Sequence, residues 1–526
     1  MALLKADFLS SSFPSLTRIA SLMLASWDSI LLTLLIATLL FLLVKLIQLV
    51  RWKLRFQHAL RDFPKHPNGS WFMGDIPEYT KGHNGMAREF HFDYEEVDDV
   101  MQFWLGPFMP GVVVFNPDTV KSIANKNEPK QESVMRFLRE WIGDGLVASS
   151  GEHWARNRRL VAPAFHYSGL RPHVSIFSEC AHTLVNKWKK LCQGEQTTVN
   201  VYDHMGLLTL DNLLKSIYSY DSHCQTKGCT YVHAVRKLAN LFFKRFVTMW
   251  QYVDFLYYKS PDGKNFRKFL KVALDFSRQV IVKRQAKGGQ ERAFRDLLDI
   301  LIDARDDDGQ GLSEEEIQNE VNTFMFGGYE TTSTAATWAI YCLAQYPDYQ
   351  DICRKEVDDL MNAKGTDELD WTDMSSLPFL TMCIKESQRL YPTVPFVFRR
   401  LTEPLVLSDG RVIPTDTTVY ISMSGLHLNP TVWDSPQVFS PERFSPENCV
   451  NRSPHAFLPF SAGPRNCLGQ QFAVFELKTT FALLLRHFVF EADESKKIKL
   501  VNAGTLRSET GIHVLMKPRK LDGKAA

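Results

Sequence analysis

One cysteine stands in a loop of small and rigid residues, directly before a run with the pattern of a helix. The stretch reads PFSAGPRNCLGQQFAVFE over residues 459–476, with Cys467 between Arg465 and Gly469. A thiolate near a helix N-terminus is stabilised by the helix dipole and by backbone amides, and thiolate sulfur is a good ligand for iron. Gly463 and Gly469 would let the backbone approach a large flat group. Taken alone, however, Cys467 fits an ordinary buried cysteine better.

A second set of reactive side chains lies in the segment with the strongest helical pattern. Ser313 and Glu316 make a capping box and Pro347 marks the far end, so the sequence predicts a helix of about 33 residues, roughly 50 Å long. Gly327 and Gly328 in its middle cost about 1 kcal/mol each relative to alanine, which suggests room for another group. A threonine inside a helix, such as Thr331, usually only packs against its neighbours. The adjacent acid, Glu330, could relay protons.

The Cys467 loop matches the pattern F-x-x-G-x-R-x-C-x-G. This pattern resembles the haem-ligand signature of the cytochrome P-450 monooxygenases. Other motifs similar to that family's occur in the expected order: WARNR from Trp154, GGYETT from Gly327, ESQR from Glu386 and PERF from Pro441. The resemblance covers nearly everything after residue 60.

The resemblance implies a role for each matching residue. Cys467 would be the axial ligand of the iron in a non-covalently held haem b, and Glu330 and Thr331 would guide protons to dioxygen. Glu386, Arg389 and Arg443 would form a structural ion-pair network. NADPH–cytochrome P-450 reductase would deliver electrons from NADPH, with cytochrome b5 as a second candidate partner. The remaining haem contacts would come from Trp154, Arg158, Gly328, Arg399, Phe460, Gly463, Arg465 and Gly469; the arginine forks suit the haem carboxylates.

The segments around Gly327 and Cys467 look most like family 4 of these enzymes, whose typical members hydroxylate fatty acids near the terminal carbon. Many members carry a glutamate where this chain has Gly327, and that carboxylate esterifies a haem methyl group. Without that glutamate the ester cannot form here. The resemblance therefore does not imply a preference for hydroxylation at the terminal carbon over in-chain carbons. The alternatives are a sterol or xenobiotic monooxygenase, a haem-thiolate isomerase or dehydratase, and a non-catalytic haem sensor. The Glu330–Thr331 pair argues against the isomerase or dehydratase and against the non-catalytic haem sensor.

Composition and charge limit the class of protein. The 61 basic and 59 acidic residues nearly cancel, so nothing indicates a nucleic-acid partner. The nine cysteines are odd in number and contain no CxxC, which argues against a disulfide framework or a zinc site. The bulk composition fits a reducing compartment.

An apolar run near the N-terminus predicts a membrane anchor. Residues 30–50 are long enough to span a bilayer, and the basic residues that follow place the rest of the chain in the cytosol, at the endoplasmic reticulum. We therefore expect an N-terminal extension (1–29), a transmembrane anchor (30–50), a basic and Pro/Gly-rich hinge (51–78) and a catalytic domain (79–526).

The fold class predicted is mainly α with a minor β part, as in the cytochrome P-450 fold. Asp409-Gly410 marks a turn in a small hairpin system. The segment from Lys237 to Gly263 mixes bulky aromatic and basic residues. It fits equally an access-channel lid that dips into the membrane and a plain amphipathic core helix.

Overall fold

A computed structural model of the chain describes residues 16–65, 69–77, 99–107, 109–286 and 295–520. The chain divides into two compact units, 1–62 and 63–526. In the first unit a single helix, α1, runs from Leu16 to Ala59, and its part from Ser29 to Ala59 is long enough to cross a membrane and contains an exposed apolar stretch of 18 residues. The helix is longer at both ends than the anchor expected at residues 30–50. Residues 1–15 of the expected extension and residues 79–98 of the expected catalytic domain lie outside the described residues.

The second unit is mainly helical with small sheets, as predicted. Its helices before the longest one are α2 (Pro117–Ala124), α3 (Glu132–Ile142), α4 (Gly151–Val161), α5 (Arg171–Cys192), α6 (Val201–Tyr218), α7 (Cys224–Lys227), α8 (Thr230–Val247), α9 (Asp254–Lys259), α10 (Pro261–Ala286) and α11 (Leu297–Asp303). The others are α12 (Glu314–Gln345), α13 (Pro347–Lys364), α14 (Pro378–Leu390), α15 (Met423–Leu428), α16 (Pro446–Cys449) and α17 (Gln470–His487).

The strands form several small sheets. They are β1 (Val100–Trp104), β2 (Pro110–Val114), β3 (Thr197–Asn200), β4 (Phe396–Arg400), β5 (Leu405–Val406), β6 (Val412–Ile413), β7 (Thr418–Ser422), β8 (Phe488–Ala492), β9 (Leu500–Asn502), β10 (Leu506–Ser508) and β11 (His513–Pro518). The largest sheet has the order β1-β2-β7-β4, with β2 and β7 parallel. The expected hairpin is β5–β6, and Gly410 adopts the positive φ of 87° that its turn requires.

The predicted long helix is α12, of 32 residues. The capping box forms as expected, because the Ser313 side chain accepts from the Glu316 amide and the Glu316 carboxylate accepts from the Ser313 amide. The helix packs along α6 and contacts α14, α17 and β8. Most of its length is buried. The helix therefore forms the centre of the unit, and residues on its different faces meet different elements.

A fully buried ion pair ties α14 to the loop before Cys467. Glu386 and Arg389 are both 0% exposed, and the Arg389 Nε lies 2.7 Å from the Glu386 carboxylate. Arg389 also donates to the carbonyl oxygens of His427, Pro436 and Val438. Arg443 completes the expected network, with its Nε 3.4 Å from Glu386. One carboxylate thus organises a stretch of irregular chain that has few regular hydrogen bonds of its own.

Replacing Glu386 should destabilise the catalytic unit strongly. We expect Glu386→Gln to lower the free energy of unfolding by about 3–5 kcal/mol, because it leaves the Arg389 charge buried without its counterion. The matched control is Asp359→Asn, which breaks the exposed Lys355–Asp359 pair and should cost under about 1 kcal/mol. Urea unfolding of both variants measures the difference. Equal costs for the two would contradict the structural role of Glu386.

Candidate functional site

The Cys467 loop is held against α2 by a glycine that no other residue can replace. Gly463 has a φ of 70°, and a Cβ atom there would overlap the carbonyl oxygen of Ala124. Further along, the Cys467 amide donates to the carbonyl oxygen of Phe460, at 2.9 Å. Helix α17 starts three residues after Cys467, with Gly469 as its N-cap. The loop is thus a rigid bracket that fixes the sulfur close to a helix N-terminus, as the sequence predicts.

The Cys467 thiol is accessible although protein surrounds it on most sides. Burial raises the pKa of the thiol, while the Gly469 amide and the Arg158 charge lower it. A bound cation such as iron would favour the thiolate over the neutral thiol.

Four cations cluster near this loop without an acidic partner. Arg158 donates to the Asn466 carbonyl and side-chain oxygens, at 2.9 and 2.7 Å. Arg465 donates to Ser149 and Asn127 and lies 3.7 Å above the Trp154 ring. Arg399 is 3% exposed and donates only to the Phe398 carbonyl oxygen, and Lys130 donates to the Val147 carbonyl oxygen. Within the described residues, none of the four forms a salt bridge with a carboxylate.

Burial, together with repulsion between neighbouring positive charges, lowers the pKa values of these cations. Burial lowers the pKa of Arg399 to about 10, and burial with the charges of Arg399 and Arg158 lowers that of Arg465 to about 10. The pKa of Lys130 falls to about 7, through burial and the charges of Arg399 and Arg465. The Arg399 Nε and Arg465 Nη2 atoms are buried and have no hydrogen-bond partner in the part of the chain that is described. A ligand with two carboxylates, such as haem, fits this cluster.

The two central glycines of α12 face different surroundings. A Cβ atom at Gly327 would have no neighbour within 4 Å, so this position borders open space. A Cβ atom at Gly328 would lie 2.5 Å from the Leu213 Cδ1 atom of α6. Gly328 therefore lets two helices approach closely. Of the two glycines from which the sequence suggested room for another group, Gly327 borders open space among the described residues, and the haem contact expected at Gly328 stays a prediction.

Glu330 and Thr331 are neighbours in sequence but point to different partners. The Thr331 hydroxyl donates to the Gly327 carbonyl oxygen, at 2.7 Å. Glu330 is 1% exposed and accepts a hydrogen bond from the Tyr202 hydroxyl, at 2.8 Å, while Arg507 Nη2 lies 2.8 Å from the same oxygen. No hydrogen bond joins the two side chains in the described structure. Glu330 and Thr331 follow Gly327 by three and four residues, so both lie within one helical turn of it, and their side chains differ in the partners that they meet.

The structure thus brings together most of the residues that the motifs selected. Arg158 and Arg465 gather at the Cys467 loop, Trp154 stacks on Arg465, and Arg399 interacts with the Arg465 charge. Sequence reasoning missed Lys130, Tyr202 and Arg507, because each lies in a segment without a recognisable motif. Their partners are distant in the chain, so only the fold reveals them.

Comparisons with known proteins agree with this site. The Cytochrome P450 family model matches residues 64–520. Cytochrome P450 4F12 of Homo sapiens is 39% identical over 495 residues, which cover 90% of this chain and 93% of the relative. The ultra-long-chain fatty acid omega-hydroxylase of Homo sapiens is 39% identical over 472 residues, 87% of this chain and 89% of the relative. Cytochrome P450 4F2 of Homo sapiens is 38% identical, covering 87% and 91%.

These matches confirm the fold, the monooxygenase class, haem b with a cysteine thiolate ligand, and NADPH-derived electrons supplied by a reductase. The family match covers most of the second unit. It agrees with the accessible Cys467, with the long central helix α12 and with the four cations near the Cys467 loop, which have no carboxylate partner among the described residues. The chain is a member of the cytochrome P450 family.

Proposed function

We propose that this monooxygenase hydroxylates fatty acids at or near the methyl end. The observation that supports haem chemistry at this site is the accessible Cys467 beside four cations that have no acidic partner within the described residues. The substrate class is supported by the relative named as an ultra-long-chain fatty acid omega-hydroxylase. The segments Glu320–Thr332 and His455–Ala473 resemble those of family 4, which agrees with a fatty-acid substrate.

In the proposed mechanism each residue has one task. Bound haem supplies the activation of dioxygen, with Cys467 as its thiolate ligand. Arg158, Arg399 and Arg465 bind the two haem carboxylates, and Trp154 holds the Arg465 guanidinium in place. The Thr331 hydroxyl donates its proton to the Gly327 carbonyl oxygen, so its oxygen is available to accept a hydrogen bond in the space beside Gly327. Glu330, whose carboxylate lies against Tyr202 and Arg507, supplies the protons.

The segment between α8 and α10 supports entry of lipids from a membrane. It is broken into a short 3-10 helix, Met249–Tyr252, and helix α9, rather than forming one core helix. Trp250, Val253, Phe255 and Leu256 are all exposed. An exposed apolar turn of this kind suits the lipid interface. We therefore favour the lid over the core helix for this segment.

The lid is fastened to the catalytic unit by one buried arginine. Arg245, 1% exposed, lies between Glu140 of α3 and Asp254 of α9 and contacts the Tyr257 ring. Together with α1, the exposed turn supports a location on the endoplasmic reticulum membrane. The basic residues after the apolar run support a cytosolic catalytic unit. Cytochrome b5 is proposed as a second electron donor beside the reductase.

Substrate profiling tests the proposed function. Membranes that contain the full chain and the reductase should convert fatty acids, in the presence of NADPH and oxygen, into products hydroxylated near the methyl end. Mass spectrometry locates the hydroxyl group, and a substrate-induced shift of the haem absorption reports binding. If no fatty acid gives a shift or a product while a sterol gives both, the substrate proposal fails and the monooxygenase assignment stands.

The open space at Gly327 predicts that a carboxylate can be introduced there. Wild-type haem should be fully extracted by acidified organic solvent, because glycine offers no group for an ester. Gly327→Glu should retain part of its haem covalently after turnover, and its products should shift toward the terminal carbon. The absence of an atom within 4 Å of a Cβ at this position predicts that the variant folds.

The matched control is Gly327→Gln, which fills the same volume and cannot form the ester. Covalent retention by the glutamine variant, or resistance of wild-type haem to extraction, would contradict the prediction.

Lys130 is proposed as an additional ligand of the haem carboxylates. Its ammonium group interacts with the charges of Arg399 and Arg465 and has no acidic partner in the described regions. Lys130→Met should speed haem loss about tenfold, since a charge-assisted hydrogen bond contributes about 1.5 kcal/mol or more. The rate of haem transfer to an apoprotein acceptor measures this loss. Lys126→Met, at an exposed lysine nearby, is the control, and equal rates for both variants would exclude the role of Lys130.

A further inference from the structure

Glu320 is a buried carboxylate of α12 that binds two neutral N–H groups. It is 0% exposed, and its two oxygens accept from the Leu146 amide and from the Asn157 side chain, both at 3.1 Å. Within the described residues no lysine or arginine pairs with it. Burial raises the pKa of Glu320 to about 7, while these two hydrogen bonds and the His153 charge oppose that rise. A buried carboxylate without a cationic partner is costly, so its position needs an explanation.

The Leu146 amide belongs to the loop between α3 and α4, residues 143–150, which we call the carbonyl loop. Three consecutive carbonyl oxygens of this loop accept from three different cations. The pairs are Lys130 with Val147 at 2.5 Å, Arg139 with Ala148 at 3.0 Å, and Arg465 with Ser149 at 2.9 Å. Two of these cations, Lys130 and Arg465, belong to the cluster of four near the Cys467 loop. The carbonyl loop therefore determines where those two charges lie.

Two glycines bring the carbonyl loop into direct contact with α12. Gly143 has a φ of 72°, and a Cβ atom there would overlap the side-chain oxygen of Asn319. A Cβ atom at Gly145 would overlap the Thr323 hydroxyl and would lie 2.8 Å from the Asn319 carbonyl oxygen. Only glycine allows the backbone to approach a helix this closely. The loop thus lies on the turn of α12 that contains Glu320.

Glu320 also joins α12 to α4, through Asn157. The orientation of the Asn157 amide is fixed, because its oxygen accepts from Arg156, at 3.3 Å, and its nitrogen then points to Glu320. The next residue along α4 is Arg158, which donates to two oxygens of Asn466. One carboxylate therefore connects α12 to both segments that place the cations of the cluster, the carbonyl loop and α4.

The position of Glu320 along α12 relates these cations to the rest of the site. Glu320 precedes Gly327 by seven residues, which is two helical turns and about 10.5 Å along the helix axis. Positions seven residues apart differ by only about 20° around the axis. Glu320 therefore lies on the same face of α12 as Gly327, where the helix borders open space.

We propose that Glu320 is a positioning residue for the haem carboxylates. By holding the carbonyl loop and α4 against α12, it fixes the cations that these segments place, relative to the open face of α12. A haem whose carboxylates bind those cations is thereby held in one position relative to the helix. The inference rests on the proposed binding of the haem carboxylates by this cluster, and it is independent of the substrate class.

Exchanging the donor and the acceptor tests this contact. Glu320→Gln can accept from Leu146 but then directs its own amide at the Asn157 amide, so it should speed haem transfer to an apoprotein acceptor about tenfold. Asn157→Asp opposes two carboxylates and should have a similar effect. In the double variant Glu320→Gln/Asn157→Asp, the glutamine amide donates to the introduced aspartate, which keeps an oxygen for Arg156. Its rate of haem loss should return to within about twofold of the wild-type rate.

Vibrational spectra separate positioning from a general loss of stability. The resonance Raman bands of the haem carboxylates report their hydrogen bonds, so these bands should shift in both single variants and return in the double variant. Gly145→Ala should shift them as well, because it lifts the carbonyl loop from α12 and leaves Glu320 intact. The matched control is Glu356→Gln, since Glu356 of α13 also accepts from two N–H groups, those of Phe379 and Leu380. The control should change neither the bands nor the rate of haem loss.

Arg465→Gln tests the cluster itself and should change both the carboxylate bands and the rate of haem loss. If it changes both while Glu320→Gln changes neither, the role of Glu320 is overturned and the cluster stands. The role of Glu320 is also overturned if the double variant is no closer to wild type than the single variants. If Arg465→Gln has no effect, the carboxylate binding and the inference fail together. None of these measurements needs a substrate, so the fatty-acid proposal is tested separately.

Discussion

Uncompensated positive charge is the constraint on which the site depends. Four cations stand in one region of the protein, and the described structure offers them carbonyl oxygens and an aromatic ring but no carboxylate. Burying charge in this way is unfavourable unless an anion joins it. The lowered pKa values of Lys130, Arg399 and Arg465 express that cost. A ligand with two carboxylates would relieve this repulsion, which agrees with the haem site proposed above.

Rigid elements hold this region in place against that repulsion. Gly463 fits the Cys467 loop against α2 with no space for a side chain, and the Glu386–Arg389 pair fixes the irregular chain that leads to the loop. Close contact at Gly328 sets the distance between α6 and α12. That distance also brings Tyr202 of α6 to Glu330 of α12. The missing side chain at Gly328 thus helps to position the acid at residue 330 against α6.

The sequence predicts the parts of this site that depend on local pattern. The capping box at Ser313, the turn at Gly410 and the arrangement around Cys467 follow from spacing and residue type, and the structure has all of them. Residues such as Lys130 and Arg507 could not be predicted, because their roles depend on partners hundreds of residues away. The orientation of Glu330 was equally hidden, since adjacent helix positions differ by about 100° and only packing decides which partner each meets. The different surroundings of Gly327 and Gly328 could not be predicted either, because only packing decides which neighbours each position meets.

The side-chain-free position at Gly327 has a practical consequence for how the cofactor can be studied. With no carboxylate at this position, the attachment of haem to the proposed site rests on coordination, ion pairs and packing, all of which are reversible. The apoprotein is then a receptor that can be refilled. Porphyrins with another metal or with altered ring substituents become candidates for loading into the same polypeptide, which would separate the electronic contribution of the macrocycle from the contribution of the protein.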